Sequence, residues 1–564
     1  MGRGDRTEIG TYIERSVNHE LSGNVIDLCP VGALNNKPYR FSARAWEMVA
    51  KPLVSPHDCV GSNLYAHVLR DRVRRVVPRD NDAINESWIA DRDRFSCHGI
   101  DADDRLTTPL VKRGGSWEAV SWETALAAAV SALRECTADE ASALGVLASP
   151  SVSVEEYYLL RRLADALGTR NIDHRLRQRD FDDQVNDAPW PWLGCSIADL
   201  ETRDAIVLIG SDIRSEVPML AHRIRKAVVN GGAQFAALNA QRYDYHFPVA
   251  ASAEVAIHEW VASLAAIVAA AHKANAGSIP ATIEPLIAEA TVGKSHQAIA
   301  DVLIGKERAH ILLGHIALRH PAYSTIRLLA TTLASLTGAT FGLISEGGNS
   351  AGAALAGALP HRGPGGKPAE AVGLDAGAML SSPRRAYLLY GLEPDGDTVD
   401  AKLTERALQS ADKVIAFTAF ASSSLKACAD ILLPIGTFAE TPGTFVNAEG
   451  AWQSTDAAIN AMGDARPGWR VLRVLGNLID AVGFDYQSCA DVLAELQELI
   501  GTVDPDNNYR GSFQPALTPA APFDDSGQVG IYAVDALVRR SVPLQQTQLG
   551  GALEAETVRE AESA

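Results

Sequence analysis

Short apolar runs and longer amphipathic stretches take turns along most of this chain. Residues 143–148 (Ala-Leu-Gly-Val-Leu-Ala) read as a buried strand, and 154–167 as a helix that stops before Gly168. The run 205–210 precedes a helix over 217–229 and a further apolar run at 233–238. The alternation returns with 310–313 ahead of a helix over 324–337. It returns again with 386–391, a helix over 399–410, and the run 413–417. Strand, helix and strand at this spacing predict βαβ units and parallel sheets. Between the two groups, the alanine-rich stretches 254–276 and 279–302 read as helical, and the glycine-rich stretches 347–352 and 361–366 as loops.

The flanks have a different texture. Residues 64–69 and 74–77 read as short strands, and 108–117 as a polar, turn-rich lead into a helix over 122–134. The uncharged run 328–345 is diluted by threonine, serine and glycine, so it predicts a buried helix and strand, not a membrane span. From 505 onward proline, glycine and asparagine predict an extended surface segment, interrupted at 532–541 and frayed over 554–564.

At 564 residues the chain is long for one core, which implies several domains or one multi-lobed α/β body. A 47% hydrophobic and 21% charged composition is that of a soluble globular protein. The net charge of −18 argues against a general nucleic-acid binder. Seven scattered cysteines (29, 59, 97, 136, 195, 428 and 489) are no disulfide framework and fit a reducing compartment. The N-terminus has no apolar signal-peptide core.

Candidate chemistry is sparse. Gly210-Ser-Asp is not a dinucleotide fingerprint, there is no phosphate-binding loop motif, and His315, His320 and His361 lack metal-ligand spacing. What remains is Cys29-Pro30. A thiolate followed by proline commonly ends a cubane iron–sulphur run: the sulphur binds iron, and the proline, without an N–H, turns the chain away. Taken alone, the dipeptide reads more often as a small buried hydrophobe than as a ligand.

The longer string decides. Glu20-Leu-Ser-Gly-Asn-Val-Ile-Asp-Leu-Cys-Pro-Val-Gly-Ala-Leu34, followed by Lys37-Pro-Tyr-Arg-Phe-Ser-Ala-Arg44, resembles the large iron–sulphur subunit of the NADH-quinone oxidoreductases, respiratory complex I. The resemblance implies that Cys29 is the fourth ligand of a [4Fe–4S] cluster, whose other three thiolates form an upstream C-x₂-C-x₂-C run. Residues 1–28 contain no cysteine, so the chain is expected to match the family's C-terminal portion, as a late gene start or a genuinely short subunit. The family's [2Fe–2S] centre is then not expected in this chain. Some relatives carry a second cluster on a C-x₂-C-x₃-C run and a later cysteine. The matching positions here are Ser55, Asp58, Ser62 and Ala90, with Cys59 one residue off register, so that site is expected to be empty.

Further on, Ala427-Cys-Ala-Asp-Ile-Leu-Leu-Pro434 and Glu440-Thr-Pro-Gly-Thr-Phe-Val-Asn-Ala-Glu-Gly450 with Gln453 resemble a string shared by molybdopterin oxidoreductases and this iron–sulphur family. It reads as a strand ending at proline, a short helix, and a glycine turn feeding a polar loop. Glu440, Asn447 and Glu449 are read as holding loop backbone by hydrogen bonds.

The resemblance implies an α/β molybdopterin-oxidoreductase-like body with Rossmann-like parallel-sheet lobes. Its segments are the tail of an iron–sulphur domain (1–44), a small β-rich unit without its cluster ligands (45–101), the α/β body (102–504) and an extended tail (505–564). It implies one-electron relay from NADH toward quinone, no independent active site, no molybdenum, and peripheral-arm subunits as partners. The membrane's cytoplasmic face is reached only through the complex. Two alternatives stand beside it. One is a molybdopterin-dependent, formate dehydrogenase-like oxidoreductase; the other is a purely structural subunit in which Cys29 is idle.

Overall fold

A computed structural model describes residues 17–275, 277–516 and 528–550. Its strands, in chain order, are β1 (Val49–Val54), β2 (Asn63–Val68), β3 (Val73–Pro78), β4 (Leu110–Arg113), β5 (Ser116–Ala119), β6 (Leu144–Ala148), β7 (Ile172–Asp173), β8 (Ala205–Ile209) and β9 (Gln234–Asn239). They continue with β10 (Ala251–Glu254), β11 (Ala309–Leu313), β12 (Thr340–Leu343), β13 (Ala386–Tyr390), β14 (Lys413–Thr418), β15 (Ile431–Pro434), β16 (Gly443–Val446) and β17 (Trp452–Thr455).

Two large sheets carry the body. One has the order β10-β9-β8-β11-β12 and is parallel throughout. The other has the order β5-β4-β15-β14-β13-β6-β7, parallel from β15 to β7. The inner strands β6, β8, β11, β13 and β14 are almost continuously apolar and buried because both faces are covered. In the first sheet Val207, Ile209 and Ile311 face the helices Trp260–Ala274 and Tyr323–Thr337, while Ile206, Leu208 and Leu312 face Pro218–Val229. In the second, Val146, Leu388 and Ile415 meet Trp122–Thr137 and Val154–Ala166; Leu147, Leu389 and Ala416 meet Ala401–Gln409 and Ser423–Cys428.

The helix Val154–Ala166 shows how the sequence places such an element. Ser153 Oγ accepts from the Glu156 N–H, and Glu156 Oε2 accepts from the Ser153 N–H, a reciprocal cap at its start. Gly168 follows in the left-handed region at φ +76°.

Several expectations are corrected. The stretch 254–276 is not one helix: Glu254 ends β10, and the helix begins only at Trp260. The stretch 279–302 breaks into Glu284–Glu289 and Lys294–Leu303. The loop expected at 347–352 instead enters the helix Ser350–Ala356, every residue of which is buried. There packing overrides glycine's poor helix propensity, because a Cβ on Gly352 would lie 2.1 Å from Asn349 Oδ1. The lead at 108–117 is the β4–β5 hairpin, which adds antiparallel to the edge of the second sheet. The short helix expected after Pro434 is absent; a turn leads into the β16–β17 hairpin, as Thr444-Phe-Val446 favours.

The C-terminal segment is pinned, not merely laid on the surface. Its short helix Ala536–Arg539 is followed by Arg540, which pairs with Asp104 (2.5 Å) and Glu393 (2.6 Å), while Arg539 pairs with Glu393 and Asp397. The uncharged run 328–345 folds into the end of the buried helix Tyr323–Thr337 and β12, as its composition predicted. Among the described residues no helix is long and apolar enough to cross a membrane. Residues 554–564, expected to fray, lie outside the described residues, as do residues 1–16 of the iron–sulphur tail.

The small antiparallel sheet β1-β2-β3 shares its core with the body. Leu53, Leu64, Ala66 and Val76 pack with Ile89, Phe420, Ala439 and Leu537.

Candidate cofactor sites

The helix Asn24–Leu28 delivers Cys29 at its C-terminal end. Pro30 turns the chain, Gly32 takes φ +66°, and the loop folds back until the Leu34 N–H donates to Cys29 Sγ at 3.4 Å. The backbone N–H groups of Leu34, then Val31, Ala33 and Gly32, face the sulphur and hold the thiol below its ordinary pKa. A nest of amides of this kind stabilises negative charge on sulphur.

The turn and helix before Cys29 are bolted down by Asp91 and Arg94, two of a quartet that sequence reasoning passed over, Asp91-Arg-Asp-Arg94. All four side chains are buried on one short helix, Asp91–Phe95. Asp91 accepts from the Gly23 N–H (2.6 Å) and Ser22 Oγ (2.5 Å); Arg94 reaches Asn24 Oδ1 and Asp27. Asn24 also bridges to the Ile89 backbone in both directions, at 2.8 and 3.1 Å. Four alternating charges beside the apolar Trp88-Ile-Ala90 were the available signal, because buried charges come paired.

The expected remnant of a second cluster is full of the chain's own side chains. Asp58 pairs with Arg92 at 2.7 Å, both essentially without solvent exposure. Arg92 also donates to the carbonyls of Glu216 (3.1 Å) and Ile531 (3.4 Å). Ser55 Oγ donates to Asp93 Oδ1 at 2.6 Å, and Ser62 and Ala90 are buried beside them. Burial and the neighbouring Asp58 push Asp93 up to about 6. His57 Nδ1 meets Asp535 Oδ2 at 2.6 Å. Cys59 packs with Val60, Ile213 and Leu220 in the apolar core, its thiol pushed far up by burial. Cys97 lies in the small-sheet core, pushed up to about 12 by burial. A cubane needs four suitable ligands, and a guanidinium–carboxylate pair stands in their place, so these residues do not fit one.

A cavity of about 350 Å³ lies where the carboxyl ends of β6 and β7 face those of β11 and β12. Such crevices are where parallel sheets bind ligands. Its arginines, however, are committed. Arg175 holds both oxygens of Asp173 (2.9 and 2.8 Å), and Arg327 holds Asp183 (2.7 Å) and Asp187. Arg362 donates to the carbonyls of Gly366, Val185 and Asp187. Burial would raise Glu346, but Arg319 and Arg177 hold it down to about 2. Burial lowers His174 to about 4 and His361 to about 3, so both imidazoles are neutral. Residues 506–511 strap the mouth: Asn507 donates to the carbonyls of Trp192 (2.8 Å) and Phe341 (2.9 Å), and Tyr509 to Asp183 (2.8 Å). The volume is near the low end for small-molecule pockets, and the guanidinium donors a pterin dinucleotide's pyrophosphates would need are engaged by carboxylates and carbonyls. The site does not fit that cofactor.

The polar residues of the 440–453 string hold loops. Glu440 accepts from Thr437 and from Arg105 at 2.5 Å, Asn447 bridges Ala451 and Val60, and Glu449 accepts from the Ile197 N–H. His315 and His320 bond single carbonyls, of Ser345 and Ile257. Among the described residues no group of three or more His, Cys, Asp or Glu could hold a metal ion. Of the seven cysteines, Cys29 is partly exposed and the other six are buried.

Family profiles match three stretches of the chain. The molybdopterin oxidoreductase family profile matches residues 105–478. Residues 1–35 match the ferredoxin-like domain of NADH-quinone oxidoreductase subunit 3, and residues 54–98 the NDSU1/NuoG-like 4Fe-4S domain of NADH-ubiquinone oxidoreductase. The 78 kDa mitochondrial subunit of NADH-ubiquinone oxidoreductase from Candida albicans is 30% identical over 490 residues, 85% of this chain and 59% of that protein. The 75 kDa subunit of NADH-ubiquinone oxidoreductase from Reclinomonas americana is 27% identical, covering 87% of this chain and 66% of its own length. The iron-sulfur protein 1 of NADH dehydrogenase from Solanum tuberosum is 28% identical, covering 97% and 68%. The chain thus spans roughly three fifths to two thirds of these relatives. Among solved structures, acetylene hydratase from Pelobacter acetylenicus superposes with a TM-score of 0.60 at 16% identity, covering 90% of this chain and 81% of that one, a likeness of fold.

Proposed function

We propose a function on one premise: the chain belongs to the molybdopterin oxidoreductase family and is homologous to the large iron–sulphur subunits of NADH-ubiquinone oxidoreductase. It acts as a subunit of NADH:quinone oxidoreductase, on the path that relays electrons from NADH toward quinone. Cys29 donates one thiolate to a [4Fe–4S] cluster whose other ligands lie outside the described residues. Such a cluster, when bound, stores and passes single electrons. The chain's own part is to present the thiolate, to surround it with backbone N–H groups, and to fix the helix Asn24–Leu28 that carries it through Asp91, Arg94 and Asn24. The segment 1–44 is the tail of an iron–sulphur domain, and the body 102–504 is a scaffold that packs against peripheral-arm subunits. The membrane is met only through them, and molybdenum plays no part.

The amide nest around Cys29, in a segment that matches a ferredoxin-like domain, carries this reading. Its test is Cys29→Ser in the NADH-oxidising assembly purified from cells where the chain is native. Loss or reshaping of one [4Fe–4S] paramagnetic signal supports it. Unchanged signals and unchanged electron transfer would show Cys29 idle and leave a scaffold alone.

A further inference from the structure

The cavity of about 350 Å³ between the two large sheets rejects a pterin dinucleotide, yet its walls are not inert. His174 stands in one wall, just past the carboxyl end of β7, and is 3% exposed. Burial keeps its ring neutral, and Nδ1 bonds the Ala358 carbonyl at 3.2 Å. A carbonyl only accepts, so Nδ1 carries the ring's hydrogen. Nε2 is then a lone-pair acceptor, and it has no hydrogen-bond partner among the described residues. Buried acceptors are normally satisfied, so one left open on a cavity wall calls for a donor from whatever fills the cavity. Asn507 makes the same demand from the strap across the mouth. Its Nδ2 donates to the carbonyls of Trp192 and Phe341, which fixes the amide's orientation and leaves Oδ1 buried without a partner.

The charged residues of the cavity ask for no charge in return. Arg175 is engaged by Asp173, Arg327 by Asp183 and Asp187, and Arg362 by backbone carbonyls. An entering phosphate or carboxylate meets no guanidinium fork able to turn to it. An ammonium meets carboxylates that arginines already hold. Either charge would be buried without compensation, so the walls favour an uncharged guest. The remaining lining is apolar and built of rings: Pro150, Pro189, Pro191 and Phe341, with Leu343 and Leu359. Rings offer faces on which a planar molecule packs.

We propose that this cavity binds an uncharged, planar nitrogen heterocycle of purine size, whose N–H groups donate to His174 Nε2 and Asn507 Oδ1 and whose faces lie on the proline and phenylalanine rings. A volume near the low end for small-molecule sites holds a free base or its nucleoside without a phosphate tail. Both sources share the chemistry that the walls recognise. A guest here touches Pro150 and His174 beyond β6 and β7, Phe341 and Leu343 of β12, and the strap 506–511 at once. It therefore ties the two parallel-sheet lobes together and holds the strap shut. Binding at this cavity is independent of Cys29 and its cluster.

The test is isothermal titration of the full chain with adenine, adenosine and AMP, alongside limited proteolysis. One adenine or adenosine per chain is expected, with AMP roughly tenfold weaker or more and cleavage within 501–516 slowed roughly tenfold at saturation. Adenine binding as tightly as adenosine assigns the site to the base; tighter adenosine assigns it to the nucleoside. Val185 lines the cavity and is 57% exposed, so Val185→Trp fills the space from the surface side. It should weaken binding roughly tenfold or more while the ligand-free chain melts unchanged. His174→Leu, which removes the acceptor, should weaken binding roughly tenfold; if that variant does not fold, Val185→Trp carries the test. No binding of adenine or adenosine overturns the proposal and leaves a water-filled cavity. AMP binding as tightly as adenosine overturns it as well, because a phosphate would then have found donors. Binding unchanged in Val185→Trp places the probe elsewhere and overturns it too.

Discussion

Arg92→Met isolates the buried ion pair between Asp58 and Arg92. The guanidinium is fully buried against Asp58, itself 1% exposed, and it also serves the carbonyls of Glu216 and Ile531. Methionine approximates the stem but leaves the buried Asp58 carboxylate without its cation, with the Val60 N–H as its remaining side-chain hydrogen bond and the like-charged Asp93 nearby. Breaking a buried pair from one side costs about 3–5 kcal/mol, most of it the price of the stranded charge. The effect should concentrate in β1–β3, because Asp58 and Arg92 flank that sheet's packing on Ile89 and Leu537. Hydrogen exchange at the β2 amides of Leu64 and Ala66 reads it directly. At about 1.4 kcal/mol per decade, exchange should accelerate roughly 10²- to 10⁴-fold. The double variant Asp58→Asn with Arg92→Met keeps an acceptor for Val60 and removes the charge, so it should recover most of the loss. An acceleration under about tenfold in the single variant, or a double variant as unstable as the single, would refute the idea that a coupled ion pair fills this site.

Cys29 should be alkylated by iodoacetamide first among the thiols of the folded chain at neutral pH. Its amide nest lowers its pKa, whereas burial raises those of Cys59, Cys97, Cys195, Cys428 and Cys489; mass-spectrometric mapping over time checks the order. His310, which bonds the Leu193 carbonyl, is lowered by burial to about 3. Its native pKa lies below the unfolded 6.5, so its contribution to stability is present above pH 6.5 and lost as pH falls toward 3. His310→Gln should therefore remove about one proton from the acid slope of melting temperature across that window. Gly342→Ala should cost about 2 kcal/mol or more, since its Cβ would lie 1.9 Å from the Leu193 carbonyl oxygen; thermal melting measures it. Asn507→Ala, which removes two bonds to buried carbonyls at about 1 kcal/mol each, should release the strap and speed proteolytic cleavage within 501–516 by roughly thirtyfold.

Much of the fold was legible along the chain. The apolar runs that became β6, β8, β11, β13 and β14 were continuous because each is covered on both faces, and the helices between them kept an amphipathic period. Cys29 and its string were local too, since the turn that aims the sulphur is made within six residues. That positions 55, 58, 62 and 90 carry no thiol was also legible, because Ser55, Asp58, Ser62 and Ala90 stand there. Local pattern failed at Gly352, where burial imposed a helix on a glycine-rich stretch, and at 254–276, where a strand preceded the helix. What only the tertiary structure decided were the partnerships of charges. Arg92 meets Asp58 across 34 residues, His57 meets Asp535 across 478, and Arg540 meets Asp104 across 436. No periodicity encodes such pairs. They form because the fold removes each charge from water, and a charge in a low-dielectric interior must find its opposite wherever the chain has brought it.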